Sequence, residues 1–255
     1  MENTLLKVND LSFSYGNKQV LRNVSCLIEQ GCVYTLLGKN GSGKTTFFKC
    51  VLKQNKIQEN NIYFQGSDIT KISISDYSKL VSYVPQLTSQ ENYDISVRDY
   101  LVQGRTPFLK TFGVPGKDDY LISLRYARMT GIENMMGSYL NELSGGELQM
   151  INITRALIQE TPLIVMDEPL SALDIPNQLK VLSLIEQLEK AGKTIIFSSH
   201  NPNHAIHLNS KILLLKNGEM LTGDCNELID EKILSETYGC DIHVYHQNGG
   251  TIVMF

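Results

Sequence analysis

The chain has 255 residues, of which 42% are apolar and 20% charged, so it is long enough and apolar enough to bury a large core. This composition excludes a disordered, fibrous or low-complexity protein. The net charge is only −4, and such a weakly acidic balance argues against a general surface for nucleic acid or anionic lipid.

The cysteines and the first residues indicate the compartment. The five cysteines are odd in number and scattered, which predicts reduced thiols in a cytosolic protein. The N-terminal MENTLLKVND carries polar and charged residues where a signal peptide needs an apolar stretch, and no run approaches membrane-spanning length. A role at a membrane would therefore require a partner that holds the protein there.

Two alternating segments open the chain, and shorter apolar segments follow. Residues 5–15 and 20–29 predict antiparallel strands joined by a turn at Gly16-Asn17. Short β-branched segments predict buried strands at 33–37, 163–166, 194–198 and 212–215, and the final TIVMF could add another. Helices are predicted at 43–52, 147–159 and 178–192. Strands that alternate with helices predict a largely parallel α/β sheet.

The pattern changes between residues 95 and 141. Strand signals vanish, glycines and prolines become frequent from 104 to 116, and residues 118–130 are typical of a helix. We expect one domain with an α/β core formed by 1–94 and 142–255 and a helical subdomain at 95–141.

The clearest motif lies between the strand at 33–37 and the helix that follows it. The segment from Gly38 to Thr45 reads GKNGSGKT and fits the phosphate-loop pattern G-x-x-x-x-G-K-[ST]. Glycines let backbone N–H groups point at the β- and γ-phosphates, and the helix adds its positive dipole end. Lys44 would bridge phosphate oxygens, and the Thr45 hydroxyl would bind Mg²⁺. The expected ATP contacts are Gly38, Asn40, Gly41, Ser42, Gly43, Lys44, Thr45 and Thr46.

A second motif ends the strand predicted at 163–166. Asp167 and Glu168 follow it directly, and the carboxyl edge of a parallel sheet is where its ligands bind. Asp167 could hold Mg²⁺ through water, and Glu168 could polarise the water that attacks the γ-phosphate. A strand followed by a charged turn is common, so the assignment depends on the phosphate loop.

The segment Leu143-Ser144-Gly145-Gly146-Glu147 narrows the assignment. It stands before a predicted helix, 24 residues ahead of Asp167, and there it resembles the signature motif of the ABC ATPases. Such a helix N-terminus could meet a phosphate. The resemblance implies a P-loop NTPase with a RecA-like α/β core, an N-terminal antiparallel β subdomain and an inserted α-helical subdomain, all in one ABC ATPase domain over 1–255.

Other residues fall in that family's order. The resemblance implies that Tyr15 stacks on adenine, that Gln86 senses Mg²⁺ and the γ-phosphate, and that His200 contacts the γ-phosphate. The segment Ser171-Ala172-Leu173-Asp174 is similar to the loop that crosses between two ATPase subunits. ABC ATPases hold two ATP molecules between two subunits, each capped by the partner's signature motif. Because one chain carries one set of motifs, we expect a homodimer.

Two departures from the family pattern are mild. The phosphate loop has Thr45 where serine is more usual, and either hydroxyl can bind the metal. Leu148 follows Glu147 where many members have glutamine and then arginine, which should not affect the phosphate contact.

Three kinds of ABC ATPase stay open at this point: a transporter subunit, an ATPase acting on nucleic acid or the ribosome, and one that assembles iron–sulfur clusters. The segment from Gly104 to Asp118 and the tail from Gly218 to Gly239 resemble ATPases that energise uptake of ferric siderophores, haem, cobalamin or molybdate. This resemblance implies permease subunits, an extracytoplasmic binding protein reached through them, and a place on the cytoplasmic face of the cell membrane.

Overall fold

The structure, a computed structural model, describes residues 3–87, 94–110, 112–171, 173–247 and 250–255. The chain divides into two compact units, a first unit of Met1–Ser73 with Ile185–Phe255 and a second unit of Ile74–Leu184. Within the described ranges, no helix has both the length and the apolar character needed to cross a membrane.

The strands of the described segments are β1 (Thr4–Tyr15), β2 (Lys18–Glu29), β3 (Val33–Leu37), β4 (Ile62–Phe64), β5 (Ser67–Asp68), β6 (Val81–Val84), β7 (Leu163–Met166), β8 (Thr194–Ser199), β9 (Lys211–Lys216), β10 (Glu219–Gly223), β11 (His243–Gln247) and β12 (Gly250–Met254). The α-helices are α1 (Lys44–Val51), α2 (Ile74–Tyr77), α3 (Val97–Val102), α4 (Lys117–Met129), α5 (Gly145–Ile158), α6 (Ile175–Lys190), α7 (Pro202–Leu208), α8 (Cys225–Leu228) and α9 (Glu231–Tyr238). Short 3₁₀ turns occupy Ile69–Lys71, Gln103–Phe108, Glu133–Met135 and Leu140–Glu142.

The first unit begins with an antiparallel sheet. β1 pairs with β2 around the turn at Gly16-Asn17, and Tyr15 lies opposite Lys18. β4 and then β5 extend the sheet from the other edge of β1. In β1 the buried side chains of Leu6 and Val8 lie on either side of the exposed Lys7, since alternate residues of a strand face opposite sides. The predicted antiparallel subdomain is confirmed.

The first unit also contains a mainly parallel sheet. β3 lies between β8 and β9 and is parallel to both, whereas β10 is antiparallel to β9. All five side chains of β3 are buried, as is typical of a central parallel strand, and the one hydroxyl of an aliphatic side chain among them, Thr35 Oγ1, is hydrogen-bonded to Ser210 Oγ at 2.6 Å. Leu37 pairs with Ser199, so β3 and β8 end side by side. The loops that follow these two strands therefore start at the same edge of the sheet.

The C-terminal segment of the first unit packs on the same sheet. α7, α8 and α9 and the hairpin of β11 and β12 share an apolar core, to which Leu37, Leu214, Leu234 and Val253 contribute. The hairpin is fixed by Asn203, which binds the backbone N–H and carbonyl of Val253. The strand predicted at the end of the chain is confirmed.

The second unit combines two parallel strands with a helical cluster. β6 and β7 are in register, with Val84 opposite Met166. α3, α4 and α5 share a separate apolar core, which consists of Val97, Leu101, Ala127, Ile132, Leu140, Leu143, Ile151 and Ile158. This cluster confirms the predicted helical insertion, and the fold is the mixed α/β fold of a P-loop NTPase. The exact limits of the helical insertion, residues 95 and 141, stay a prediction.

Candidate functional site

The phosphate loop follows β3 and takes a path that only glycine allows. Gly38, Gly41 and Gly43 have φ angles of 153°, 76° and 110°, in the left-handed region. A Cβ added at Gly38 would lie 2.6 Å from the Leu215 carbonyl oxygen and 2.7 Å from Ser42 Oγ. The loop therefore passes its neighbours at a distance that leaves no room for a side chain.

The groups around this loop suit an anion. α1 begins at Lys44, and Gly43 at its N-cap supplies no side-chain oxygen to the first N–H groups. Ser42 Oγ is buried and has no hydrogen-bond partner among the described residues. Lys44 Nζ donates to the carbonyl oxygens of Gly38 (2.8 Å) and Lys39 (3.4 Å), which holds the ammonium over the loop. Helix dipole, uncapped N–H groups, buried hydroxyl and cation together fit the phosphates of ATP.

The other residues of the loop differ in exposure. Asn40, Gly41 and Thr45 are exposed, whereas Thr46 is buried at the start of α1. The Thr45 hydroxyl is therefore accessible to a ligand in this unit.

Two more predicted site residues lie in the first unit. His200 directly follows β8, next to the strand end from which the phosphate loop departs. The neighbouring residue Ser199 is held by a hydrogen bond of 2.9 Å between its Oγ and His204 Nδ1. Tyr15 ends β1 with 49% of its surface exposed, and its ring meets that of Phe13 edge to face, with centroids 5.0 Å apart. Its ring is accessible for stacking.

Two carboxylates and an amide follow the paired strands of the second unit. Asp167 and Glu168 come directly after β7 and are 1% and 9% exposed. The backbone N–H of Asp167 donates to the Val84 carbonyl at 2.9 Å, and the exposed Gln86 follows the end of β6 by two residues. Burial, together with the nearby charge of Asp167, raises the pKa of Tyr83. Asp167, Glu168 and Gln86 thus lie at the ends of neighbouring strands.

Glu168 has an unusual backbone. Its φ of 47° is left-handed, which is uncommon for a residue with a long side chain. Its carbonyl oxygen accepts two hydrogen bonds from Ser171, from the backbone N–H at 3.2 Å and from Oγ at 3.0 Å. These bonds close a turn directly after the carboxylate.

The signature segment forms the start of α5. Ser144 is the N-cap, and its Oγ accepts from the Glu147 N–H at 3.4 Å, while a Glu147 carboxylate oxygen accepts from the Ser144 N–H at 2.8 Å. Ser144 Oγ also donates to this oxygen at 2.6 Å. These hydrogen bonds from Ser144 lower the pKa of Glu147. Gly145 has open space at its Cβ position, whereas a Cβ on Gly146 would lie 2.9 Å from Asn177 Nδ2.

Asp174 has a role that sequence reasoning missed. Its side chain accepts from the Asn177 N–H at 3.0 Å, so it caps α6, which begins at Ile175. Aspartate three residues before that N–H, with Pro176 in the first turn, was the available signal. No sequence pattern predicted the side-chain contacts that Asn177 and Gln178 make. Of the predicted crossing loop, Ala172 lies outside the described residues.

The fold and these elements define a P-loop protein that binds and hydrolyses a nucleoside triphosphate. The family model described as "ABC transporter" matches residues 21–171. The chain therefore belongs to the ABC transporter family, and it is an ATP-binding ATPase of that family.

Relatives of this chain match it along nearly its whole length. An ABC transporter ATP-binding protein of Haemophilus influenzae without assigned substrate is 34% identical over 96% of this chain and 93% of its own. The petrobactin import ATP-binding protein of Bacillus subtilis is 30% identical over 94% and 95%. A solved metal-chelate type ABC transporter, in an inward-facing conformation, has 26% identity and a TM-score of 0.85, covering 98% of this chain and 96% of that one.

Proposed function

We propose that this chain energises the import of a metal chelate, as one of two identical ATPase subunits bound to a membrane permease. The observation that carries the proposal is the likeness to the metal-chelate type transporter, which extends over 98% of the chain. The petrobactin import relative supports the same substrate class. An ATPase of such a system would lie peripherally on the cytoplasmic face of the membrane, and an extracytoplasmic binding protein would deliver the chelate to the permease.

Lys44 and the loop around it would hold the β- and γ-phosphates. The buried hydroxyl of Ser42, the uncapped start of α1 and the Lys44 ammonium all favour that position for negative charge. Tyr15, with its exposed ring, would stack on the adenine.

Thr45, Gln86 and Asp167 would hold Mg²⁺. Hydroxyl, amide and carboxylate oxygens are the hard donors this cation prefers, and Thr45 and Gln86 are exposed. When bound, Mg²⁺ would neutralise charge on the phosphate oxygens. The set therefore fits the cation in the chemistry of its donors.

Glu168 is our choice for the residue that orients and deprotonates the attacking water. The turn closed by Ser171 fixes its backbone, and only 9% of its surface is exposed. We assign the contact with the γ-phosphate to His200 and the sensing of that phosphate to Gln86. Catalysis would thus rest on Lys44, Gln86, Glu168 and His200.

The second copy would complete each site. The exposed N-cap Ser144, the two glycines after it and Glu147 stand at the N-terminus of α5, a helix of 14 residues whose dipole favours an anion. Asp174 is exposed and would approach the partner copy. Closure of two copies on ATP and their opening after hydrolysis would supply the motion that the permease uses.

Uptake in the source cell tests this proposal. Deletion of the gene should abolish uptake of one radiolabelled chelate from a panel of ferric siderophores, haem and cobalamin. The wild-type gene should restore uptake and Glu168→Gln should not. In the purified protein Glu168→Gln should lower kcat by about 100-fold or more, as expected for loss of a general base, while ATP still binds.

The matched control is Glu219→Gln, the same chemical change at an exposed position on β10. It should restore uptake and hydrolyse ATP like the wild type. If the deletion strain takes up every chelate normally but no longer takes up some other solute, the proposed substrate class is wrong. Undiminished hydrolysis by Glu168→Gln would remove the role given to that residue.

A further inference from the structure

Gln178 lies in the first turn of α6. Its side chain binds backbone that lies between Glu168 and Asp174. Its side-chain Nε2 donates to the carbonyl oxygens of Leu170 and Leu173, each at 3.1 Å. A glutamine amide has two N–H groups, so both are used on this segment. The backbone N–H of Gln178 donates to the Asp174 carbonyl at 2.9 Å, which fixes the position of the amide relative to the segment.

These two carbonyls belong to backbone that continues directly from Glu168. The Leu170 carbonyl also accepts the Leu173 N–H at 3.3 Å, and the Glu168 carbonyl accepts both donors of Ser171. A left-handed glutamate persists only where surrounding contacts hold it. The hydrogen bonds of Ser171 hold the near end of this backbone, and those of Gln178 attach its far end to the helix.

Apolar contacts and hydrogen bonds both hold this backbone. Leu170 and Leu173 are 2% and 9% exposed, so both side chains are anchored in the unit. Hydrogen bonds also hold the carbonyls of the same residues, with the Leu173 N–H as a further donor to the Leu170 carbonyl. Gln178 supplies a donor to both.

We propose that Gln178 is a positioning residue for hydrolysis, acting through the backbone that carries Glu168. Its amide keeps the carboxylate in the orientation needed to act on the attacking water, and it therefore supports kcat and not ATP binding. Displacement of a catalytic group by a fraction of an ångström is enough to slow a reaction considerably. The inference rests on the catalytic role proposed above for Glu168.

The test compares Gln178→Met with Gln187→Met in the full chain. Methionine has nearly the length of glutamine but no N–H to donate, and Gln187 is an exposed residue further along the same helix. Gln178→Met should lower kcat by about tenfold while KM and Kd for ATP stay within about twofold, and Gln187→Met should match the wild type. Hydrogen exchange at the Ser171 and Leu173 amides should accelerate only in Gln178→Met.

Rescue separates positioning from a general loss of structure. Gln178→Lys, whose ammonium can donate to both carbonyls, should recover most of the kcat that Gln178→Met loses. If Gln178→Met is insoluble, Gln178→Glu keeps the shape, cannot donate at neutral pH and should lower kcat at least as much.

Two results would overturn the inference. One is a wild-type kcat in Gln178→Met, whatever its hydrogen exchange, since the bonds would then serve stability alone. The other is an increase in Kd for ATP that accounts for the whole loss of activity. Full hydrolysis by Glu168→Gln would instead remove the catalytic role proposed for Glu168, so the two failures are distinguishable: an inactive Glu168→Gln beside a fully active Gln178→Met contradicts the inference about Gln178 alone.

Discussion

Gly38 illustrates how a single backbone position limits the phosphate loop. A methyl group there would meet the Leu215 carbonyl oxygen at 2.6 Å and Ser42 Oγ at 2.7 Å, and the carbonyl belongs to a buried strand that cannot move aside. Lys44 also donates to the Gly38 carbonyl, so a shift of this backbone displaces the ammonium. Gly38→Ala should therefore weaken ATP binding by about tenfold or more, measured by titration calorimetry.

The control for this change is Gly137→Ala. Gly137 is exposed, and its Cβ position has open space. This variant should bind ATP with wild-type affinity. Equal affinity in Gly38→Ala would mean that the loop geometry does not define the nucleotide site.

At this scale the sequence indicated candidate site residues but not the surroundings of their side chains. Spacing alone placed Gly38, Lys44 and Asp167, because motifs of this kind need particular residue types at fixed intervals. It did not reveal that Ser42 Oγ is buried, nor that Asp174 caps a helix. Such contacts depend on residues far apart in the chain, or on the point where a helix starts, and periodicity is silent on both.

The start of α5 makes a prediction at the scale of an element. Hydrogen bonds from Ser144 lower the pKa of Glu147, so the charged carboxylate stabilises the folded state. This contribution is fully present above the ordinary pKa of glutamate, about 4.3, and is lost as the pH falls through the lowered value in the folded protein. At neutral pH Glu147→Gln should lower the free energy of unfolding by about 0.3–1 kcal/mol, the usual effect of a surface acid at a helix N-terminus.

Urea unfolding at neutral and at acid pH measures this difference. The wild type and Glu147→Gln should converge in acid, where both carry a neutral side chain. Glu142→Gln serves as a comparison, because Glu142 makes the same kind of bond to the Tyr139 N–H of a short 3₁₀ turn, where the helix dipole is small. A difference for Glu147→Gln that does not change with pH would contradict the electrostatic explanation.

Element boundaries show where sequence patterns suffice. The predicted limits of β3 and β7 are confirmed to the residue, because both strands are short, fully buried and mainly apolar. α5 and α6 begin earlier than predicted, at Gly145 and Ile175, because Ser144 and Asp174 cap them ahead of the apolar pattern. β6 was not predicted as a strand, since its four residues give too little periodicity.

The contact between α6 and the signature segment links elements that have different tasks. Gly146 approaches Asn177 so closely that a Cβ would lie 2.9 Å from its amide nitrogen, and the next residue, Gln178, binds the backbone that follows Glu168. The first turn of α6 therefore contacts two segments. One is the signature segment, which we propose covers the ATP of the partner copy. The other follows Glu168, which we propose acts in hydrolysis of the ATP that the chain itself binds. A shift of either segment would therefore displace the other through this helix.

For the whole molecule, the decisive proposal is that two copies form two ATP sites. Each copy supplies the phosphate loop of one site and the signature segment of the other. Ser144 is exposed at the start of α5, and the phosphate loop has its own anion-binding groups. An arginine at position 144 would obstruct the approach of a second copy but leave the loop unchanged. Ser144→Arg should therefore bind ATP as a monomer with wild-type affinity and hydrolyse it at least 100-fold more slowly, as for loss of a transition-state contact. Ser144→Ala, which loses the cap but adds no bulk, controls for destabilisation of the helix.

Wild-type specific activity should rise with protein concentration, because the active species forms by mass action. If it stays constant down to samples that sedimentation shows to be monomeric, each chain hydrolyses ATP alone and the shared-site proposal is wrong.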